Sequence, residues 1–514
     1  MVGGNLGPGQ FVKPDPLLSS PSPSRSSSSP PPLSAVQRGA AVVTIKHGTN
    51  PNASGSNEAV RPTCQDLCKV DHLFHLFLRY TLFTMFFKAA TGLALALLAV
   101  VVHRSGRVVW HHILTTPNLP DAYYVGGNWT SHCSLIRDPA SNDINFCEDI
   151  TFWDHHDVHG ALTDRLVLLG CDPNRKAWNT VMGPLRDPNP RGHLFLYVPT
   201  THTVHPVALQ GYPAQHDFHP LGMDIFPSHN GASSNLFIVN HARAQTTVEQ
   251  FVLDPARPTE ARYVRTLRLP YFVSPNAIAL TSPTSFYVTN DHLLTRRLPN
   301  PIGHVLPVVE TVVGLPLGWV AHVALHPSNS EDDDVVLTHT LAALGVPFAN
   351  GIALSPSHTQ LAVASTSLGL VYVYTVDAST PSLTLSHTIP VPFFPDNIVY
   401  DDDGALIVTG HPHFPALIHV AANKTGAMAP SWAVSLTPRS GRDARAAQGR
   451  RSYDQLAPLS ASRFASAVAT HEVETLFQSD GSVFGSSSTT LRDARTGAIY
   501  IAGLYEEGML VCRP

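Results

Sequence analysis

The chain has 514 residues with 33 Lys and Arg against 38 Asp and Glu, a formal charge of -5. No broad positive field is available to hold nucleic acid or an anionic lipid sheet, so nucleic acid is excluded as the expected partner. The 44 prolines and 34 glycines punctuate the chain too often for long helices to dominate, and the length accommodates one large domain or two smaller ones, with turn-rich β-structure expected.

The first elements are not globular in character. Residues 1–70 read as a disordered tail, because the Ser/Pro run from Ser19 to Pro32 and its Gly- and Ala-rich flanks cannot bury enough apolar surface to order themselves. Met85 opens a second segment with the charged start and apolar middle of a signal sequence, so it is an alternative start. From Leu82 to Val102 only Lys88 and two threonines interrupt an apolar run, and about 20 such residues span a bilayer core as a helix. A transmembrane or signal-anchor helix is therefore expected over 80–103, with Lys88 reaching the headgroups and 104–130 as linker. The sequons at Asn128 and Asn423 and the even number of cysteines place the C-terminal body in the secretory lumen or outside the cell.

From 131 to 514 the chain becomes a series of strand-length segments separated by turn chemistry. LTDRLVLLGC at 162–171, GHLFLYV at 192–198, SNLFIVNH at 234–241, TQLAVAST at 359–366 and GALIVTG at 404–410 are examples. So many short strands exceed one sandwich and match radial repetition, which makes a β-propeller the expected fold. The Arg-rich stretch between Pro430 and Gln455 reads as a surface insertion, and Trp153 to His159 (WDHHDVH) as a solvent-exposed loop. Cys147 and Cys171 fall on strands as either a second bridge or free buried thiols.

Polar clusters recur inside apolar runs: Cys147-Glu148-Asp149, Pro275-Asn276-Ala277, Thr289 to His292, Ala349-Asn350-Gly351 and Pro395-Asp396-Asn397. Taken singly, Asn and Asp at such places serve the backbone of a turn. Taken together, carboxylate and carboxamide oxygens converging from different segments suit Ca²⁺, whereas Zn²⁺ would ask for His and Cys. Neither a GxSxG elbow nor a GxxxxGK[ST] loop is present, so serine-hydrolase and P-loop chemistry have no foothold.

The ordered set CED at 147–149, FHPLG at 218–222, IVNH at 238–241, TNDH at 289–292, FANGI at 348–352, PDNI at 395–398 and GHP at 410–412 resembles the paraoxonase/arylesterase family. That resemblance implies a six-bladed, calcium-dependent β-propeller hydrolase of carboxyl esters or lactones. It implies a catalytic Ca²⁺ held by Glu148, Asn276, Asn350, Asp396 and Asn397. The ion would act as a Lewis acid on the substrate oxygen. A second, structural ion would use Asp149, but Ala277 stands where its partner Asp is expected, and Asp224, close to the FHPLG loop, is a candidate substitute. His241 matches one member of a histidine dyad while Leu221 replaces the other, leaving His241 as the candidate base. Leu221, His292 and His411 are expected to line the substrate cavity. A ring-closing disulfide is implied between Cys133 and Cys512. Because of Leu221, the alternative is a non-catalytic, calcium-stabilised propeller that binds a ligand or partner; a strictosidine-synthase-like enzyme is a further one.

Overall fold

The computed structural model describes residues 64–138, 143–181, 183–189, 192–327, 335–439 and 470–514. The chain divides into two units, Met1–Thr81 and Leu82–Pro514. Helix α1 has the bounds Cys64–Val109, so it begins inside the segment assigned to the tail and occupies part of the expected linker. Residues 1–63 of that tail lie outside the described residues. Within the helix, His75–His103 is long and apolar enough to cross a membrane, and none of its apolar window is buried among the described residues. Within the second unit, a short π-helical turn at Trp110–Leu114 docks through His112. The His112 ring packs on Phe394 at 5.3 Å, and its Nδ1 lies 3.2 Å from the Pro412 carbonyl.

The rest of the second unit is an all-β, propeller-like arrangement of five sheets, one of nine strands, one of five and three of four. The nine-stranded sheet consists of two antiparallel runs joined where Glu260–Arg262 pairs in parallel with Ala208–Gln210. Six strands, labelled β1 (Cys147–His156), β2 (Pro220–Ile225), β3 (Pro275–Ser282), β4 (Ala349–Leu354), β5 (Phe394–Tyr400) and β6 (Ser487–Arg492), begin successive antiparallel runs. Each packs on the next, and β6 packs back on β1, so they form a closed ring around an axis.

Closure uses the chain ends. Cys133–Ile136 pairs antiparallel with Met509–Cys512, and Cys133 is bridged to Cys512 directly across the pair. A second bridge, Cys147–Cys171, joins β1 to its neighbouring strand, which resolves the question left open by sequence. In a ring whose first and last strands belong to one sheet, such a bridge constrains a loop of nearly the whole domain.

Turn chemistry repeats around the ring. Asp157, Asp401 and Asp493 each accept backbone N–H groups from the residues that follow, and each turn ends on a glycine of positive φ: Gly160, Gly404 and Gly497. Side-chain capping of its own backbone is what favours Asp there, and the left-handed position favours Gly. At this end Arg165 donates to Asp154 and Asp402 at 2.7 Å and to Asp493 at 3.3 Å, tying three sheets together. The Trp153 to His156 segment, expected in a loop, is instead the end of β1. Trp153 is fully buried and donates to Ser234 Oγ at 2.9 Å, because its alternating neighbours supply the apolar face of a strand. The Arg-rich stretch begins in a strand as well, Ser431–Pro438, while residues 440–469 lie outside the described residues.

Candidate functional site

Each ring strand carries a register break one or two residues after its start: between Cys147 and Asp149, Pro220 and Met223, Pro275 and Ile278, Ala349 and Ile352, Pro395 and Ile398, and Ser487 and Thr489. The residues left out of the ladder are Glu148, Leu221-Gly222, Asn276-Ala277, Asn350-Gly351, Asp396-Asn397 and Ser488. A bulge re-aims side chains out of the pleat, and here it does so at the same level in every ring strand. That is why side chains such as those of Asn397 and Glu148, 249 residues apart, meet.

Two of the bulged positions require glycine for space. A Cβ on Gly351 would collide with the Asn397 Cα and the Asp396 carbonyl, and one on Gly222 with Asn276 and Ala277. Neighbouring ring strands therefore approach too closely at the bulges for any larger residue.

Glu148, Leu221, Asn276, Asn350, Asp396 and His411 line one small cavity of about 50 Å³, with Phe348, Thr366 and Phe414 among its other walls. The amide nitrogens of the asparagines are committed. Asn350 Nδ2 donates to Asp396 Oδ1 at 2.7 Å, Asn276 Nδ2 to Asp291 Oδ2 at 3.2 Å, and Asn397 Nδ2 to Glu148 Oε1 at 2.9 Å. Because an ionised carboxylate only accepts, the bonds to Asp396 and Asp291 set which end of Asn350 and of Asn276 is nitrogen. The oxygens that remain, Asn276 Oδ1, Asn350 Oδ1, Asn397 Oδ1 and Glu148 Oε2, are buried and have no hydrogen-bond partner. A buried acceptor without a donor costs about 1–3 kcal/mol, and oxygens of this type are the ones that could serve a hard cation as ligands.

Electrostatics agree with that donor set. Burial, then the charges of Asp149 and Asp396, push the Glu148 carboxyl well above its usual range. The Arg175 charge and the Asn397 hydrogen bond offset the crowding at Glu148 only in part, and a divalent ion would relieve the repulsion. Among the described residues no group of three or more His, Cys, Asp and Glu side chains is arranged to hold a metal, so carboxamide oxygens are indispensable to any ion here.

On the other side of the ring Asp149 and Asp224 line a separate cavity of about 230 Å³. Asp149 Oδ1 accepts Ile150 N–H and Oδ2 accepts Met223 N–H; Asp224 repeats the pattern with Ile225 and Leu280. Each carboxylate thus staples its own ring strand to the next, and neither has an oxygen without a partner. Burial, only partly offset by those bonds, raises both to about 7.

The histidines divide by what their nitrogens do. His241 stands outside the cavity lining. Its Nε2–H donates to the Pro275 carbonyl at 3.0 Å and its Nδ1 accepts from Thr180 Oγ1 at 2.6 Å, and burial lowers it to about 4. His292 is likewise held between Asp291 and Thr311, edge-on to Phe348 at 4.4 Å instead of lining the cavity. His219 pairs with Asp172 at 2.9 Å. His411 differs: Nε2 faces Asp396 Oδ2 at 2.9 Å, while Nδ1 has no partner and the residue lines the cavity.

Several site residues escaped sequence reading. Thr489 Oγ1 lies 3.0 Å from both the Glu148 carbonyl and Asp149 Oδ1 and accepts from Asn397 at 2.9 Å, so the sixth ring strand contributes a hydroxyl instead of an amide. Its only sequence signal is the position of SSTT at the start of an alternating run. Asn179, Val181 and Leu417 come from connecting segments with no marker of their own.

A ring of bulged strands with converging polar side chains defines an axial-site β-propeller. Residues 184–431, a little under half of the chain, match the Arylesterase family model, and in that part the chain is similar to the paraoxonase/arylesterase family. It is 28% identical over 200 residues to human "Serum paraoxonase/arylesterase 1", covering 38% of this chain and 50% of that protein. It is 29% identical over 179 residues to chicken "Serum paraoxonase/arylesterase 2", covering 35% and 45%. The chain thus matches about half the length of these curated relatives. Among solved structures, a luciferin-regenerating enzyme aligns with 73% of this chain and 94% of its own, at 10% identity and a TM-score of 0.38.

Proposed function

We propose that the protein is a calcium-dependent hydrolase of carboxyl esters or lactones, built on six blades and working at the axial cavity. Counting the nine-stranded sheet as two blades gives six around the ring of β1–β6, and the family match and the names of the relatives support the reaction class. The observation that carries the reading is the set of four buried oxygens without partners on Glu148, Asn276, Asn350 and Asn397. These, with Asp396, would hold Ca²⁺. When bound, the ion supplies Lewis-acid polarisation of a substrate carbonyl oxygen.

The protein's own groups do the rest. Leu221, Phe348, Phe414 and Leu417 make the cavity apolar beside its polar floor and exclude water from it. His411 keeps Nε2 on Asp396 and presents Nδ1, the atom able to take a proton from an attacking water. His241, with both nitrogens engaged, orients the Thr180 loop against β3. The anchor helix would hold the body at a membrane, with the propeller in the secretory lumen or outside the cell. Asn128 and Asn423, both exposed, would carry glycans.

Turnover of a panel of aryl esters and lactones by the purified full chain tests this, with calcium and after chelation. Chelation is expected to abolish turnover, and Asn350→Ala to do the same in the presence of calcium; turnover indifferent to calcium would reject the proposal. The second reading, a calcium-stabilised binding propeller, is favoured by Leu221 and by the engaged nitrogens of His241. It prevails if calcium raises thermal stability and no substrate is turned over.

A further inference from the structure

A larger cleft of about 910 Å³ shares two walls with the axial cavity. Helix α2, Phe414–Ala421, turns Phe414 and Leu417 to the axial cavity and Ile418 and Ala421 to the cleft. The segment from Ala177 to Gly183 likewise gives Asn179 and Val181 to one and its two ends to the other.

The charges of this cleft are one-sided. Lys176, Arg186, Arg296, Arg297 and His304 line it, and no Asp or Glu does among the described residues. In a chain of net charge -5 this is a local excess against the overall balance. Arg165 shows what the same fold does with a structural arginine: it surrounds the guanidinium with three aspartates. Nothing comparable is done for Arg296 and Arg297. Arg297 donates only to neutral acceptors, the carbonyls of Ala242 and Arg243 at 2.6 and 2.9 Å and Thr246 Oγ1 at 3.4 Å. Arg296 has the His304 carbonyl at 3.4 Å. The Nε–H of each is buried without an acceptor. Burial pushes Arg297 down to about 10 and Arg296 down as well, and no anionic group among the described residues restores them. Lys176 is held over the Phe146 ring at 4.7 Å, and Arg186 stands exposed at the rim.

Desolvated guanidinium groups without a carboxylate partner are costly to keep, and their planar fork matches phosphate or carboxylate geometry. We propose that this cleft binds an oxyanion, the phosphate or carboxylate group of a ligand, through Arg186, Arg296, Arg297 and Lys176. The site is separate from the axial cation cradle and does not depend on the hydrolase reading. Its volume leaves room for a body larger than the anion itself.

Isothermal titration of the full chain in detergent with pyrophosphate, and separately with citrate, tests the proposal. All proteins carry Asn423→Gln so that the rim is free of sugar. Saturable binding is expected in this background. Arg296→Gln and the exposed Arg186→Gln should each weaken it by about tenfold or more, the scale of a lost charge-assisted hydrogen bond. Arg262→Gln, which removes an equal charge from an exposed strand position outside the cleft, should leave it within about twofold, as expected for a screened surface charge. Phosphatidylserine vesicles that displace pyrophosphate identify a lipid headgroup as the source of the anion, and vesicles that do not displace it identify a soluble one. Absence of saturable binding, or equal weakening by Arg262→Gln and both cleft variants, overturns the site.

Discussion

Asn397 donates from its amide nitrogen to Glu148 Oε1 at 2.9 Å, linking β5 to β1 across the axis and leaving Asn397 Oδ1 and Glu148 Oε2 both without partners. One bond therefore orients two ligand oxygens at once. The site is electrostatically unfavourable, since the charges of Asp149 and Asp396 act on Glu148 in a buried place.

Calcium should consequently stabilise the fold as well as serve the site. A concentration of about 100 times the dissociation constant would add about 2.7 kcal/mol by mass action. Calorimetric melting with and without calcium is expected to show this rise in the parent and to lose most of it in Glu148→Gln. An equal rise in both proteins would mean that the ion binds elsewhere. Because ligand carboxylates must be deprotonated, and Glu148 is pushed up, the calcium effect should fade as pH falls.

Gly351→Ala places a methyl group against the Asn397 Cα and the Asp396 carbonyl. Overpacking of backbone on backbone costs about 1–3 kcal/mol, and relief requires β4 and β5 to move apart. Lower stability with weakened calcium binding is expected by melting and metal titration. Gly231→Ala, at a turn with open space but positive φ, should lower stability without touching the metal.

The Cys147–Cys171 bridge closes a separation of 24 residues, for which chain entropy gives about 3 kcal/mol. Cys147 precedes Glu148 directly, so the double serine variant should lose this stability and bind calcium more weakly. Unchanged calcium affinity would show that the bulge holds Glu148 unaided.

His241 gives a pH dependence of defined sign. Its folded value of about 4 lies below the ordinary 6.5, so the unfolded chain binds the extra proton between these limits. Stability from this group is full above about 6.5 and is lost as pH falls toward 4, by roughly 3 kcal/mol in all. Asp149 and Asp224, raised from 3.8 to about 7, act oppositely: their contribution is present at low pH and is lost as pH rises through 7. Chemical denaturation of His241→Gln against the parent between pH 4 and 7.5 cancels the shared carboxylates. The difference should grow in the parent's favour as pH rises to 6.5 and then level off; a difference flat with pH would show that His241 does not titrate in this window.

Periodicity and composition made the all-β body and the apolar segment of α1 legible, because alternation of apolar residues and unbroken apolar length are local properties of the chain. The five proposed ligands were legible only as an ordered set, since FANGI and PDNI each look like an ordinary turn. What the sequence could not carry was the state of each atom. That His241 has both nitrogens engaged while His411 keeps one open, that Thr489 completes the sixth position, and that four basic side chains from three segments share a cleft without an acid all depend on ring closure. The bulges aim the side chains, but the contacts they reach belong to strands hundreds of residues away, and only the packing of one ring strand on the next decides which of them meet.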